Sequence, residues 1–384
     1  MLKVGVIFGG RSVEHEVSVI TGMQVIENMD KEKFLPIPIY ITKEGKWLSS
    51  EAFKNFKTFK DGDFSSAKNV MLGCDYGDFN LYINPEAKSM FDKKVYDTLD
   101  LVFFALHGTN GEDGSCQGLV ETVGLPYTGT NVLSSSVGMD KVIMKDVYRA
   151  NGLPVVNYRY YYRSKWRSSK EEVMADIEKN LKYPLFIKPS NLGSSIGISK
   201  VKNKDNLEEA LMIAFSYDKK VIVEESVENA REINCAVMGY EENVETSELE
   251  EPLDFKELLT FDDKYVSNKK TPGTKTMRNL LKKDEPLRDE LESLATKAFT
   301  SIDAAGNARV DLLVSKDTGK IYINEINTIP GSVAFYLWEP KGYSFKDLIT
   351  KMLEIAQAVD TMRKETVYSY DAELFKRIQY GKKL

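Results

Sequence analysis

The sequence predicts an α/β protein of two or three domains, and three observations support this. The chain has 384 residues, more than the roughly 100–200 of an ordinary domain. A β-rich run, a helical pattern and a second β-branched run follow one another at residues 3–8, 13–29 and 34–41. An apolar run at residues 99–106 is typical of a buried parallel strand. Strands that alternate with helices predict a mainly parallel sheet in the first domain.

Composition argues against several classes of protein. The net charge is −6, from 52 basic and 58 acidic residues, which argues against a protein that binds nucleic acid or an anionic membrane. No apolar run approaches the roughly 18 residues that span a bilayer, and a signal-peptide pattern is not seen. Three scattered cysteines and two histidines argue against a disulfide framework and a zinc site. We therefore expect a cytoplasmic protein.

The rest of the chain predicts further elements in order. Residues 54–94 are polar and weakly periodic, so we expect short strands and loops at the edge of the first domain. Seven acidic residues between positions 241 and 254 predict a solvated, mobile loop. Residues 361–384 predict either an additional surface helix or a partly ordered tail. The other elements are predicted helices at 132–151, 206–216 and 286–301, and predicted strands at 184–189, 221–225, 307–314 and 320–324.

A loop rich in glycine and serine follows the predicted strand that ends at Pro189. It runs from Ser190 to Gly197, and Lys188 stands at the end of the strand. Backbone N–H groups in such a loop can approach phosphate oxygens closely, and the lysine can add a point charge. The spacing matches neither a P-loop nor a dinucleotide fingerprint. A flexible surface loop is the alternative interpretation.

Charged residues alternate with apolar ones on the two predicted paired strands near the C-terminus. Arg309 and Asp311 share one face of the first strand, and Glu325 and Asn327 share a face near the second, because residues two apart point the same way. Two carboxylates and an amide oxygen suit Mg²⁺ that bridges phosphates, and a guanidinium suits a transferring phosphoryl group. The alternative is a surface salt bridge with a turn asparagine.

Two weaker signals complete the pattern. Glu224 lies near the end of a predicted strand and Glu232 comes eight residues later. Either could accept hydrogen bonds from a nucleoside, or both could simply be exposed. His107 lies in a glycine-rich loop after the buried strand, where open α/β sheets commonly bind ligands. A tight loop with a capping histidine is the alternative for that segment.

Together these segments closely resemble the D-alanine–D-alanine ligase family of the ATP-grasp superfamily. The resemblance covers about residues 3–355. It is carried, in order, by residues 8–12, 14–18, 105–118, 124–129, 139–141, 188–197, 264–265, 309–311 and 324–331. It implies an ATP-grasp architecture of three α/β domains, with the nucleotide between the central and C-terminal domains. The implied ranges are 1–132 for the substrate domain, 133–223 and 224–360 for the two ATP-grasp parts, and 361–384 for an extension.

The resemblance also implies a role for each matching residue. The implied substrate contacts are Glu16 on the ammonium of the first D-amino acid, Ser194 and Tyr265 as its partners, and His107 and Lys264. The implied stabilisers of the acyl phosphate and tetrahedral intermediate are Arg309 and the Gly331 N–H. The implied ATP contacts are Lys141, Lys188, Ser195, Glu224, Glu225, Val227 and Glu232. The implied ligands of two Mg²⁺ or Mn²⁺ ions are Asp311, Glu325 and Asn327.

The expected activity is ATP-dependent joining of two D-alanines through an acyl phosphate, for peptidoglycan precursors, in a homodimer. A ligase of the same mechanism with another acceptor is the first alternative, because residues 332–340 are shorter and more apolar than the Ser/Thr-rich stretch usual in the family. The lid expected around residues 261–274 is unusually rich in lysine. A non-catalytic nucleotide-binding protein and an α/β dehydrogenase are the remaining alternatives.

Overall fold

The computed structural model describes residues 1–84, 94–252 and 279–370. It contains three sheets with helices packed against them. Within the described residues, no helix is long and apolar enough to cross a membrane. The mixed α/β class predicted from the sequence is confirmed, whereas the predicted domain boundaries stay predictions.

The N-terminal sheet has seven strands in the order β6-β5-β4-β3-β2-β1-β7. Strand β1 pairs in parallel with β2 and β7, and the remaining neighbours are antiparallel. The prediction of a mainly parallel sheet is therefore wrong for four of the strands, because the polar segment after β2 returns as hairpins that extend the same sheet. The strands are β1 (Leu2–Gly9), β2 (Phe34–Ile41), β3 (Trp47–Ser49), β4 (Lys68–Leu72), β5 (Asn80–Ile83), β6 (Val95–Thr98) and β7 (Leu101–Phe104).

Alternate residues of β1 face two helical layers, as the period of a strand requires. Val4, Val6 and Phe8 pack in one buried cluster with helix α1 (His15–Asn28) and the C-terminal helix α11 (Phe345–Lys364). Ile7 belongs to a second cluster that includes helix α3 (Ser115–Val123). Helix α11 thus shares a buried cluster with the first strand. A short helix, α2 (Phe56–Asp61), follows β3.

The central sheet is antiparallel, in the order β10-β9-β11-β8. Its strands are β8 (Tyr158–Tyr162), β9 (Leu185–Pro189), β10 (Ser199–Val201) and β11 (Lys220–Glu225). The helices of this part are α6 (Arg163–Ser168), α7 (Lys170–Asn180) and α8 (Leu207–Tyr217).

The predicted helix over residues 132–151 is two helices, α4 (Val132–Met139) and α5 (Lys141–Ala150). Asp140 separates them because its side chain caps α5, accepting from the N–H groups of Val142 at 3.1 Å and Ile143 at 3.2 Å. Its backbone leaves the helical region, with ψ at 101°. An N-cap of this kind begins a helix, so the single-helix prediction is wrong.

The C-terminal sheet is antiparallel, in the order β14-β13-β12-β15-β16. Strand β13 occupies the acidic segment that was expected to be a loop, and that prediction is wrong. Two of its acidic residues pair with arginines from other elements, since Arg231 lies 3.1 Å from Glu251 and Arg288 lies 2.6 Å from Glu248. The strands are β12 (Ala230–Tyr240), β13 (Asn243–Glu251), β14 (Asn279–Leu280), β15 (Gly306–Ser315) and β16 (Ile321–Asn327); the helices are α9 (Arg288–Ser301) and α10 (Phe335–Trp338).

Candidate active site

Strands β15 and β16 bring four polar side chains together in the predicted way. Arg309 pairs in register with Asn327, and Asp311 pairs with Glu325. Arg309 donates to both oxygens of Asp311, at 2.6 and 2.8 Å, and Asn327 Nδ2 donates to Asp311 Oδ2 at 3.0 Å. Asp311 is buried, and its carboxylate holds the pKa of Arg309 well above its ordinary value against the effect of burial. A surface salt bridge, the alternative for this segment, does not describe the cluster.

A β-bulge interrupts β16 beside these residues. Leu312 pairs with Ile323 whereas Asp311 pairs with Glu325, so Asn324 has no partner on β15. A bulge of this kind frees one residue from the ladder and changes the direction of its neighbours. The freed carbonyl of Asn324 accepts from Lys145 Nζ at 2.9 Å.

The two lysines expected at the phosphates both reach this pair of strands. Lys141, the first residue of α5, lies 3.4 Å from Glu325 Oε2 and donates to the Leu192 carbonyl at 2.9 Å. Lys188, near the end of β9, lies 2.6 Å from Glu224 Oε2 and 3.4 Å from Asn324 Oδ1. Side chains of α5 and of the central sheet therefore meet those of β16 directly.

Glu224 is buried between two cations. Its Oε1 lies 3.1 Å from Lys145 Nζ, and its Oε2 faces Lys188. Burial alone would raise the pKa of Glu224, but the two lysines outweigh burial and lower it to about 2. Glu224 is therefore a carboxylate throughout the physiological pH range.

The remaining residues expected at the nucleotide have different surroundings. Glu225 accepts from Asn157 Nδ2 at 3.0 Å and from the Lys182 N–H at 2.9 Å, which fixes the end of β11. Val227 is half-buried just beyond that strand, and Glu232 lies on β12. Lys264 and Tyr265, together with the expected lid, lie outside the described residues.

The glycine- and serine-rich loop contacts the start of α1 through Ser194. Ser194 and Ser195 both have left-handed backbones, with φ of 54° and 58°. The Ser194 hydroxyl donates to Glu14 and not to Glu16. The Glu16 side chain is 60% exposed and pairs with Lys43. The predicted partnership of Glu16 with Ser194 is therefore wrong, because α1 begins at His15 and Glu16 points outward from its first turn.

His107 is buried, and its ring contacts helix α1 and the segment before Gly331. Its Nδ1 lies 2.8 Å from the Ile329 carbonyl and its Nε2 lies 2.8 Å from Thr21 Oγ1. Burial lowers the pKa of His107 to about 4, so the ring is neutral at pH 7. A neutral imidazole carries one N–H, and the Ile329 carbonyl fixes it on Nδ1.

Glu112 joins the His107 loop to the same segment before Gly331. Its carboxyl group accepts from the Gly108 N–H at 2.8 Å and from the Ile329 N–H at 3.0 Å. Burial, with the charge of Glu14 nearby, raises the pKa of Glu112 to about 8. The bridge sets the distance between the His107 loop and the segment that leads to Gly331.

Gly331 begins a tight turn whose next three residues, 332 to 334, have φ between 48° and 52°. The turn is held by Asn307, which donates to the Val333 carbonyl at 2.7 Å and accepts from Trp338 Nε1 at 3.0 Å. Just beyond it, Arg309 donates to the Tyr336 hydroxyl at 3.0 Å. The unusually apolar segment therefore places a phenol against the arginine.

Sequence reasoning missed three residues of this site, namely Glu14, Glu112 and Lys145. A signal for Glu14 was available, because Glu14, Ser18 and Thr21 recur at helical spacing and all three are buried. Glu112 lies in the glycine-rich loop after His107, but no sequence pattern assigned it a function. Lys145 follows Lys141 by four residues, which places both on one face of a helix.

The donor set fits divalent metal ions. Two carboxylates and one amide oxygen are hard ligands, and Mg²⁺ usually adds substrate phosphates and water to so few protein groups. In the described ranges, no group of three or more His, Cys, Asp or Glu side chains converges on one point.

Comparison with known proteins gives consistent matches along the chain. Residues 3–130 match the family model for the D-ala D-ala ligase N-terminus, and residues 147–354 match that for the C-terminus. The D-alanine--D-alanine ligase of Thermosipho melanesiensis is 39% identical over 100% of both chains. That of Acetivibrio thermocellus is 40% identical over 92% of this chain and 95% of its own.

Solved structures agree with these matches. The D-alanine-D-alanine ligase from Coxiella burnetii has a TM-score of 0.77 at 29% identity, covering 95% of this chain and 98% of its own. The VanG D-Ala:D-Ser ligase from Enterococcus faecalis has a TM-score of 0.76 at 31% identity, covering 92% and 99%. With both family models matched and relatives this similar over the full length, the chain belongs to the D-alanine–D-alanine ligase family.

Proposed function

We propose that this protein uses ATP to join two D-alanine molecules into D-alanyl-D-alanine, for peptidoglycan precursors. The observation that carries the proposal is the contact of Lys141 and Lys188 with β16, beside the cluster of Arg309, Asp311 and Glu325. Full-length relatives that bear the name D-alanine--D-alanine ligase support the same activity.

The chemistry explains why a cluster of fixed cations is needed. A carboxylate is a poor electrophile because its leaving group would be oxide. Attack by a carboxylate oxygen on the γ-phosphorus of ATP forms a new P–O bond, breaks the bond to the β-phosphate and releases ADP. The amine of the second amino acid then adds to the acyl carbon, the C–O bond to phosphate breaks, and the amine loses its proton. Both steps concentrate negative charge that fixed cations stabilise.

In this proposal each residue acts where the geometry puts it. Lys141 and Lys188 hold the phosphates, and Glu224, Glu225, Val227, Glu232 and Ser195 bind the rest of ATP between the central and C-terminal domains. Arg309 and the Gly331 N–H stabilise the acyl phosphate and the tetrahedral intermediate. Two Mg²⁺ or Mn²⁺ ions, held by Asp311, Glu325 and Asn327, would neutralise phosphate charge when bound.

Glu14, in place of Glu16, holds the ammonium of the first D-alanine. Glu14 is buried and bonded to Ser194, so its charge is concentrated in a site of low dielectric. His107, neutral and fixed by Ile329, contacts the same substrate. Lys264 and Tyr265 keep the roles that the family resemblance implies, as partners of the substrates in closing the site.

We also propose that the protein works in the cytoplasm, where ATP is available, and as a homodimer. The family resemblance supports the dimer. Light scattering coupled to gel filtration measures the mass directly, and a particle of one chain, 43.5 kDa, would contradict the dimer.

The activity is tested by incubating the protein with ATP, Mg²⁺ and single or paired D- and L-amino acids and hydroxy acids. Phosphate release is followed, and products are identified by mass spectrometry. We expect D-alanine alone to give D-alanyl-D-alanine. Product only with another acceptor, such as D-serine, would overturn the substrate and leave the ligase. No phosphate release with any pair would overturn both.

A further inference from the structure

Lys145 is a buried cation that the proposed chemistry does not use. It lies on α5 one turn after Lys141, and its side chain is only 1% exposed. Burying an ammonium group is costly unless its three N–H donors are satisfied. An unpaired lysine at this depth would lose its charge, so its partners explain why it is there.

The partners of Lys145 come from two different sheets. Its Nζ lies 3.1 Å from Glu224 Oε1, on the central sheet. It also lies 2.9 Å from the Asn324 carbonyl and 3.5 Å from the Ile323 carbonyl, on β16. The carbonyl of Asn324 belongs to the bulged residue beside Glu325. Lys145 therefore joins the strand that carries Glu224 to the strand that carries the expected metal ligand Glu325.

Glu224 is shared between Lys145 and Lys188, and the charges of the three side chains determine the consequence. Burial lowers the pKa of Lys145 from its ordinary value, and the nearby Glu224 carboxylate opposes that effect. With both lysines protonated, the Lys145, Glu224 and Lys188 side chains carry a net charge of one positive unit. Without Lys145, the carboxylate of Glu224, 2.6 Å from Lys188, would cancel the charge of Lys188. The attraction that Lys188 exerts on a phosphate would then be largely lost, because charges interact strongly in a buried site.

We propose that Lys145 is a positioning residue of the nucleotide site: it neutralises Glu224 and so leaves the charge of Lys188 available for the phosphates of ATP. The inference rests on the proposed role of Lys188 at the phosphates. Lys145 itself does not touch ATP in this account. Its bond to the Asn324 carbonyl has a second effect, because it holds the bulge that directs Glu325.

The test compares Lys145→Met with wild type by calorimetric titration of ADP in the presence of Mg²⁺, which needs no turnover. We expect the Kd for ADP to rise at least about tenfold. The KM for ATP should rise similarly, while the KM for D-alanine changes less than about threefold. Lys145→Gln, which keeps a donor for the Asn324 carbonyl, should weaken ADP in the same way and serves if the Met variant does not fold.

Tyr148→Phe is the matched control. Tyr148 lies on the same helix and is fully buried, and its hydroxyl has no hydrogen-bond partner among the described residues. Removing that hydroxyl perturbs the same packing without touching the charges. We expect unchanged Kd and KM values for this variant, and a tenfold loss of ADP affinity in it would overturn the electrostatic explanation.

A double-mutant cycle separates charge neutralisation from general damage to the fold. Lys145→Met and Glu224→Gln together should weaken ADP at least about fivefold less than the product of the single effects, because the double variant restores the charge balance around Lys188. If the effect of the double variant equals the product of the two single effects, the inference is overturned.

Lys188→Met separates a failure of the proposed phosphate role of Lys188 from a failure of the inference about Lys145. If Lys188→Met binds ADP normally, the phosphate role fails and takes the inference with it. If only Lys145→Met binds normally, the inference alone fails.

Discussion

Replacing Glu14 with glutamine tests which acidic residue near the start of α1 meets the first substrate. The Glu14 side chain lies close to the backbone of two loop glycines. A Cβ atom built on Gly108 would be 2.6 Å from Glu14 Oε2, and one built on Gly193 would be 2.9 Å from the same oxygen. The Ser194 hydroxyl donates to the same carboxylate. Glu16 is two residues away, but its side chain is 60% exposed beside Lys43.

These surroundings give different magnitudes for the two substitutions. Removing one partner of a buried, hydrogen-bonded charge pair costs about 2–5 kcal/mol, which corresponds to roughly 30-fold to several thousandfold in kcat/KM for D-alanine. An exposed ion pair contributes about 0–1 kcal/mol, so Glu16→Gln should change the same ratio by less than about fivefold. Both substitutions keep the shape of the side chain, and each is therefore a control for the other.

The assay measures initial rates of ADP formation at several D-alanine and ATP concentrations for both variants. In Glu14→Gln, we expect the KM for D-alanine at the first site to rise far more than the KM for ATP. Thermal unfolding of both variants checks that the fold is kept. A large effect of Glu16→Gln with a small effect of Glu14→Gln would refute the reasoning, and parallel changes in both KM values would make Glu14 a structural residue.

Three further predictions concern other parts of the site. Glu325→Gln should lower kcat at least ~100-fold with an unchanged unfolding midpoint; unchanged turnover would contradict its role at the metal. Tyr336→Phe removes the phenol that accepts from Arg309 at 3.0 Å, so kcat should fall about tenfold; an unaltered kcat would show that Asp311 alone orients the arginine. The native pKa of Glu112, about 8, exceeds the ordinary 4.5, so the folded state keeps a proton that the unfolded chain releases, and stability should decline as pH rises from about 5 through 8. The free energy of unfolding, measured with urea at several pH values, should depend less on pH in Glu112→Gln than in wild type. The same pH dependence in both proteins would contradict the raised pKa of Glu112.

Local sequence signals predicted the paired strands of the site well. Arg309, Asp311, Glu325 and Asn327 stand on two strands joined by a short turn, and their alternation with apolar residues specifies which way they point. Short sequence separation makes such a prediction robust, because few alternative pairings exist. Lys188 and the loop after it are also adjacent in the chain, so their positions relative to each other could be predicted locally.

Contacts between distant segments could not be predicted in this way. Asn324 is bulged only because β15 and β16 shift register beside Asp311, and nothing in the two strand sequences marks that shift. The sequence of β13 alone is typical of a solvated loop. Its pairing with Arg231 and Arg288, which come from other elements, is seen only in the folded chain. The choice between Glu14 and Glu16 depends on where α1 begins, and a boundary error of one or two residues reverses it.

The break at Asp140 is a different kind of failure. The aspartate precedes a good amphipathic pattern and is a strong N-cap residue, so the signal was present in the sequence. It was obscured because no glycine or proline stands between Met139 and Ala150. The cap matters for function, since it sets the first turn of the helix that carries Lys141 and Lys145.

The most direct test of the central claim follows the oxygen atoms of D-alanine. The protein is given ATP, Mg²⁺ and D-alanine labelled with ¹⁸O in both carboxylate oxygens, and the released phosphate is analysed by mass spectrometry. If an acyl phosphate forms, one carboxylate oxygen leaves with the phosphoryl group. The account predicts one ¹⁸O in the inorganic phosphate for each D-alanyl-D-alanine formed. Unlabelled phosphate, or formation of AMP in place of ADP, would contradict it.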